Sequence, residues 1–145
     1  MLYLAQLNIA RLLKPIDHPQ IKEFVENLEG INLLAETSPG FVWRLKSDSG
    51  YATDIDAFGD PLIIVNMSVW KSLDDLKNFV YQSHHVKIMR KRKQWFEKPK
   101  SHYMVLWWIP MGHIPTVEEA KQKLNYLSLH GESSEAFTFR KSFQK

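Results

Sequence analysis

The chain has 145 residues, 44% hydrophobic and 24% charged, with a formal net charge of +3. That length suits one domain with a sizeable core, and so mild a basic excess does not by itself call for a polyanionic partner. The absence of cysteine excludes disulfides, thiolate zinc sites and cysteine nucleophiles. No apolar run approaches the roughly 18 residues of a membrane span, and "MLYLAQLNIA" lacks a signal peptide's basic region. A cytoplasmic protein without a membrane partner is therefore expected.

"LYLAQLNIA" alternates, with Tyr3, Ala5, Leu7 and Ile9 on one face and Leu2, Leu4, Gln6 and Asn8 on the other, which predicts a strand. "KPIDHPQ" breaks it, and Asp17 with Gln20 has the spacing of a capping box. Ile21, Phe24, Val25, Leu28, Ile31 and Ala35 then recur at helical spacing, so residues 18 to 36 are expected to form an amphipathic helix. After the turn signal "SPG", the stretch "FVWRLK" reads as a second strand. It places Phe41, Trp43 and Leu45 on one side and Val42 and Arg44 on the other.

Residues 47 to 60 are polar and turn-rich and read as a long loop, whose Asp54, Asp56 and Asp60 lack a calcium-binding pattern. "PLIIVNMSVW" is the third strand. Ile63, Val65, Met67 and Val69 make one of its faces, while Asn66, Ser68 and Trp70 stand on the other. Ser72 and Asp75 cap the next helix, and Leu73, Leu76 and Val80 form its stripe. A single helix continuing to residue 96 would swing its apolar stripe out of line near Gln82 to His84, so a break is expected there. "HYMVLWWIP" is the fourth strand, with Trp107 and Trp108 pointing in opposite directions. Thr116 with Glu119 caps a last helix carrying Val117, Ala120, Leu124 and Leu127. Gly131 ends it, and "AFTF" reads as a short final strand.

The order is that of a ferredoxin-like βαββαβ antiparallel sheet with extra helices, an α+β single domain over residues 1 to 145. The more apolar strand faces are expected beneath the helices. The opposite faces mix Gln6, Asn8, Asn66 and Ser68 with Leu2, Leu4, Leu62, Ile64 and Trp70. An apolar patch of that size is seldom left bare, so this face should line a cavity or a subunit interface.

On a helical wheel, His85, Ile88, Met89, Arg92, Trp95 and Phe96 fall within roughly a third of the circumference. Lys87 and Arg90 lie opposite, with Lys91 and Lys93 at the borders, and read as a solvated face. With the low net charge and no recognised motif, this pattern argues against nucleic acid as a partner. Arg92, set among apolar side chains, needs water, a structural carboxylate or a bound anion. His84 and His85 are adjacent, too far apart in angle to grip one metal, and no "HxxxH" spacing occurs. A neutral His85 suits a hydrogen-bonded structural role, acid/base work or axial haem ligation.

"LAQLNIA", "SPGFVWRL", "NMSVW", the "HH…RKRKQWF" helix, "LWWIPMGHIPT" and "AFTF" together resemble a bacterial family of uncharacterised proteins in the dimeric α/β-barrel superfamily. Antibiotic-biosynthesis monooxygenases and haem-degrading enzymes belong to the same superfamily. The resemblance implies a homodimer in which the sheets of two protomers close a barrel. Its cofactor-independent monooxygenases place an asparagine, a tryptophan and a histidine around an aromatic substrate, and Asn66, Trp43 and His85 have that chemistry. The first reading is thus a small-molecule-binding, monooxygenase-like protein for an aromatic or anionic ligand. Trp43 and Trp95 would be walls, Gln6, Asn8 and Asn66 hydrogen-bonding groups, His85 the acid/base and Arg92 the anion clamp. The alternatives are a non-catalytic haem or small-ligand carrier and, third, RNA binding by the outer face of residues 87 to 93. The sequence designates no cofactor.

Overall fold

The structure is a computed structural model that describes residues 1–46, 58–81 and 90–143. Four strands, β1 (Leu2–Arg11), β2 (Phe41–Arg44), β3 (Ile63–Trp70) and β4 (Met104–Pro110), form an antiparallel sheet in the order β2-β3-β1-β4, the ferredoxin-like arrangement. The helices are α1 (Lys22–Thr37), α2 (Leu73–Val80), the short α3 (Arg92–Trp95) and α4 (Val117–His130). No helix among the described residues is long and apolar enough to cross a membrane.

Two of the expected caps form. Ser72 Oγ accepts from Asp75 N at 3.1 Å and Thr116 Oγ1 from Glu119 N at 3.1 Å, each satisfying a helix-start donor that would otherwise lack a partner. Gly131, at φ 73°, closes α4 by donating its N–H to Leu127 O at 2.9 Å. The Asp17–Gln20 capping box does not form. Instead a 3-10 turn over Pro19–Ile21 precedes α1, and the His18 ring Nδ1 accepts from Gln20 N at 3.0 Å. Pro19 at the start of that turn has no N–H to give, which moves the cap onto the residue before it.

Helices cover both faces of the sheet, unlike the expected one-sided arrangement. The apolar face carries Ala5, Leu7, Val65, Met67, Val69, Trp107 and Ile109 and is covered by Ala120, Leu124 and Leu127 of α4. The mixed face receives α1 and α2, with Leu4, Trp70, Leu106 and Phe137 against Ala35, Leu73, Leu76 and Phe79. At its other end Leu12 packs with Ile21, Phe24 and Trp95, beside Leu62 and Ile64. The physical reason is that the mixed face is segregated along its strands. Its polar side chains lie midway, between two apolar patches large enough to seat helices.

A register shift between Phe41 and Trp43 corrects the expected facing of β2. Phe41 packs with the α1–α2 cluster, whereas Trp43 and Leu45 pack on the opposite face beneath α4. The irregularity flips the side chains that follow it to the other side of the sheet. "AFTF" contributes isolated bridges rather than a strand: Phe137 exchanges both backbone hydrogen bonds with Leu106 at the outer edge of β4, and Ala136 and Thr138 bridge to Ser133 and Lys141. The break expected near Gln82 to His84 lies outside the described residues.

Candidate functional site

Between the two apolar patches of the mixed face, β1 and β3 bring four polar side chains into register, Gln6 opposite Ser68 and Asn8 opposite Asn66. Gln6 and Ser68 are each only 7% exposed, while Asn8 and Asn66 are open. Gln6 Nε2 donates to Asn66 Oδ1 at 2.7 Å and to Ser68 Oγ at 2.9 Å. Trp70 Nε1, fully buried, donates to the same Ser68 Oγ at 2.8 Å.

This network has a chemical consequence. A primary amide has two N–H donors, and Gln6 spends both on its neighbours. With the Asn66 carbonyl oxygen held by Gln6, the amide NH2 of this exposed residue, opposite Asn8 in register, makes no hydrogen bond to another described residue. The buried tryptophan, serine and glutamine thus orient a donor on the one polar stretch between the helix-bearing patches. A donor fixed before a ligand arrives costs little reorganisation when charge appears next to it.

The remaining site residues of the sequence reading are dispersed. Trp43 lies across the sheet from Asn66, so within one protomer the two do not line one cavity. Trp95 is 1% exposed and stacks in the core, its ring centroid 5.6 Å from that of Phe24. His85, with His84, lies outside the described residues. Arg92 sits at the start of α3, with its guanidinium 5.6 Å from the centroid of the Tyr103 ring, and forms no ion pair among the described residues. Among those residues no three histidine or acidic side chains gather as a metal site would require.

Beyond the polar row, Arg11 ties three segments together at the end of β1. Its Nε donates to Asp60 Oδ2 at 2.8 Å, and its guanidinium also pairs with Glu97. The Arg11 hydrogen bond, joined by one from Leu62 N, holds the Asp60 carboxyl below the usual carboxylate range. A carboxylate depressed on folding contributes stability above its unfolded value and loses it as pH falls through the folded one. Asp60→Asn should therefore flatten the acid limb of stability against pH, read as urea midpoints between about pH 5 and pH 2.

The sequence reading missed Trp70 as a hydrogen-bond donor and the stretch "EKPKSHY", residues 97 to 103. Strand parity carries the first signal, since Ser68 and Trp70 stand two residues apart on one face. The density of cations around Pro99 carries the second.

Residues 3–145 match the model of one protein family, described as a domain of unknown function (DUF3291). Among solved structures, the chain is similar to SnoaB, a cofactor-independent oxygenase from Streptomyces nogalater. The identity is 14% and the TM-score 0.50, over 79% of this chain and 98% of that one. It is also similar to PA3566 from Pseudomonas aeruginosa, at 8% identity and TM-score 0.51 over 75% of this chain and 93% of the other. A conserved protein from Methanosarcina mazei Go1 gives 12% identity and TM-score 0.51 over 75% and 92%. No curated protein matches the chain. At such identities the likeness is one of fold alone, the ferredoxin-like α+β arrangement.

Proposed function

The chain belongs to the DUF3291 family, and from that premise we propose a monooxygenase-like protein that binds a small aromatic or anionic compound against the mixed face of its sheet. The observation that carries this reading is the exposed Asn66 amide, held through its carbonyl oxygen by Gln6 and set opposite Asn8 in register, which leaves its NH2 group to donate to a ligand. Such a donor stabilises the oxygen anion of a phenol or enol, the form of an aromatic substrate able to pass electrons to O2. In that chemistry a ring CH2 becomes C=O and the second oxygen atom leaves as water. The substrate supplies the electrons, so the protein need only bind, orient and accept a proton. His85 is the proposed proton acceptor. Arg92 and Trp95 fall outside this role, the first because it sits in a separate groove and the second because it is core.

The proposal includes a homodimer. Met111 and Ile114 after β4, and Leu129 on α4, are 58%, 59% and 70% exposed and offer apolar surface to a second copy.

Oxygen uptake with a panel of phenols and ring ketones tests the reading. Asn66→Ala should lower kcat/KM by about 100-fold and Tm by only a few degrees, because the exposed side chain gives up one hydrogen bond from Gln6 Nε2. Uptake equal to that of the unaltered protein would remove Asn66 from the mechanism. Saturable binding without uptake would replace the enzyme with a ligand carrier.

A further inference from the structure

A concave site lies on other residues, apart from the polar row. Residues 97 to 103 leave β1 and return to it: Glu97 N donates to Arg11 O at 2.8 Å, and Ile9 N donates to Tyr103 O at 2.8 Å. Between these two pins the chain bows away from the strand, opening a groove of about 370 Å³ beside Ala10. Ile9, Ile63, Pro99 and the Tyr103 ring supply apolar wall, while Arg92, Lys98 and Lys100 line it with positive charge.

The charges are unequal in a way that matters. Arg11 and Glu97 also line the groove but pair with each other, and Asp60 adds a second carboxylate to Arg11. Arg92, Lys98 and Lys100 have no carboxylate partner among the described residues. Arg92 is half-buried over Tyr103, so its planar fork is partly immobilised before any ligand arrives. These three cations outweigh the one excess carboxylate of the Arg11 cluster, so the concave, half-apolar wall carries a net positive charge that concentrates anions there. The groove shares no residue with the Gln6–Asn66–Ser68 network, so its occupant is independent of the function proposed above.

We propose that this groove binds a small organic anion, a carboxylate or phosphate ester with an apolar or ring-shaped body, clamped by Arg92 and Lys100 with its body against Ile63, Pro99 and Tyr103. The planar guanidinium meets two oxygens of either head group at once, and the apolar wall selects an organic anion over an inorganic one.

Isothermal titration calorimetry of the full chain with benzoate, phenyl phosphate and inorganic phosphate tests this. Saturable binding of at least one aromatic anion is expected, weakened about tenfold or more by Arg92→Gln. Lys93→Gln, altering an exposed cation of α3 that does not line the groove, should leave it unchanged. Should Arg92→Gln fail to fold, the Lys98→Gln, Lys100→Gln double variant on the exposed loop should show the loss instead. Tighter binding of benzoate assigns a carboxylate head group, and tighter binding of phenyl phosphate a phosphate ester; both support the site. It is overturned by no saturation up to ~10 mM, by equal loss in the Lys93 control, or by inorganic phosphate binding as tightly as phenyl phosphate.

Discussion

Gly40→Ala is expected to destabilise the protein by about 3 kcal/mol, which lowers Tm by roughly 10 °C for a domain of this size. Two effects add. Gly40 stands at φ +83°, a conformation that L side chains rarely adopt and that glycine enters without steric penalty. A Cβ built there lies 2.1 Å from Asp75 Oδ2 and 2.5 Å from Asp75 Cβ, far inside contact distance. The close approach is structural, since Lys71 N donates to Gly40 O at 2.8 Å and so draws the β2 turn onto the start of α2. Neither segment can retreat without losing that bond or the Ser72 cap. Thermal unfolding of the Gly40→Ala, Asp75→Ala double variant isolates the carboxylate's share. Removing the carboxylate leaves the backbone strain and the position-75 Cβ still 2.5 Å from the added atom, so well under half of the loss should return. A single variant as stable as the unaltered protein would mean that the turn readily finds another conformation.

Trp70→Ala carries the second large effect, about 4 kcal/mol. The ring is fully buried, stacked on Phe79 with centroids 5.2 Å apart and an interplanar angle of 23°. It also meets Phe41 edge-on, 5.5 Å away at 75°. Its removal leaves a cavity between sheet and helices and takes one of the two donors from Ser68 Oγ. Trp70→Phe divides the loss. Most of the packing survives, while the indole N–H and the few ring atoms around it go, so a cost of about 2 kcal/mol is expected. The phenylalanine variant also reaches the proposed site. With Ser68 released from Trp70, Gln6 is less firmly held and the Asn66 amide less well oriented, so kcat should fall more than KM rises. Urea unfolding and oxygen-uptake kinetics on the same preparation measure both effects. Full activity in Trp70→Phe would show that Gln6 alone suffices to hold Asn66.

The helices α2 and α4 and the strands β1, β3 and β4 were legible because each is encoded locally. Caps such as Ser72 and Thr116 act within one turn, and strand alternation spans a few residues. The row of Gln6, Asn8, Asn66 and Ser68 was legible as well, since placing β1 beside β3 with the right parity is enough to gather those side chains. Asp17 failed as a cap because Pro19 reorganised the turn around His18, a local effect hidden by a matching spacing.

Other features depended on contacts between distant segments. The irregularity that sends Phe41 and Trp43 to opposite faces arises where β2 pairs with β3, and alternation along β2 does not record it. Trp95 entered the core, rather than a pocket, because Leu12, Ile21 and Phe24 converge on it from other elements. The groove beside Ala10 exists because backbone bonds from Ile9 and Arg11 pin both ends of the 97–103 loop, and backbone bonding leaves no mark on side-chain pattern. By itself the sequence determined the element order, the α+β class and the polar row on the sheet, all consequences of short-range periodicity and strand parity. Only the tertiary structure decided which helices cover which face, where Trp43 and Arg92 stand, and that a groove opens beside Ala10. Those depend on long-range packing and backbone hydrogen bonding, which no single segment of the chain contains.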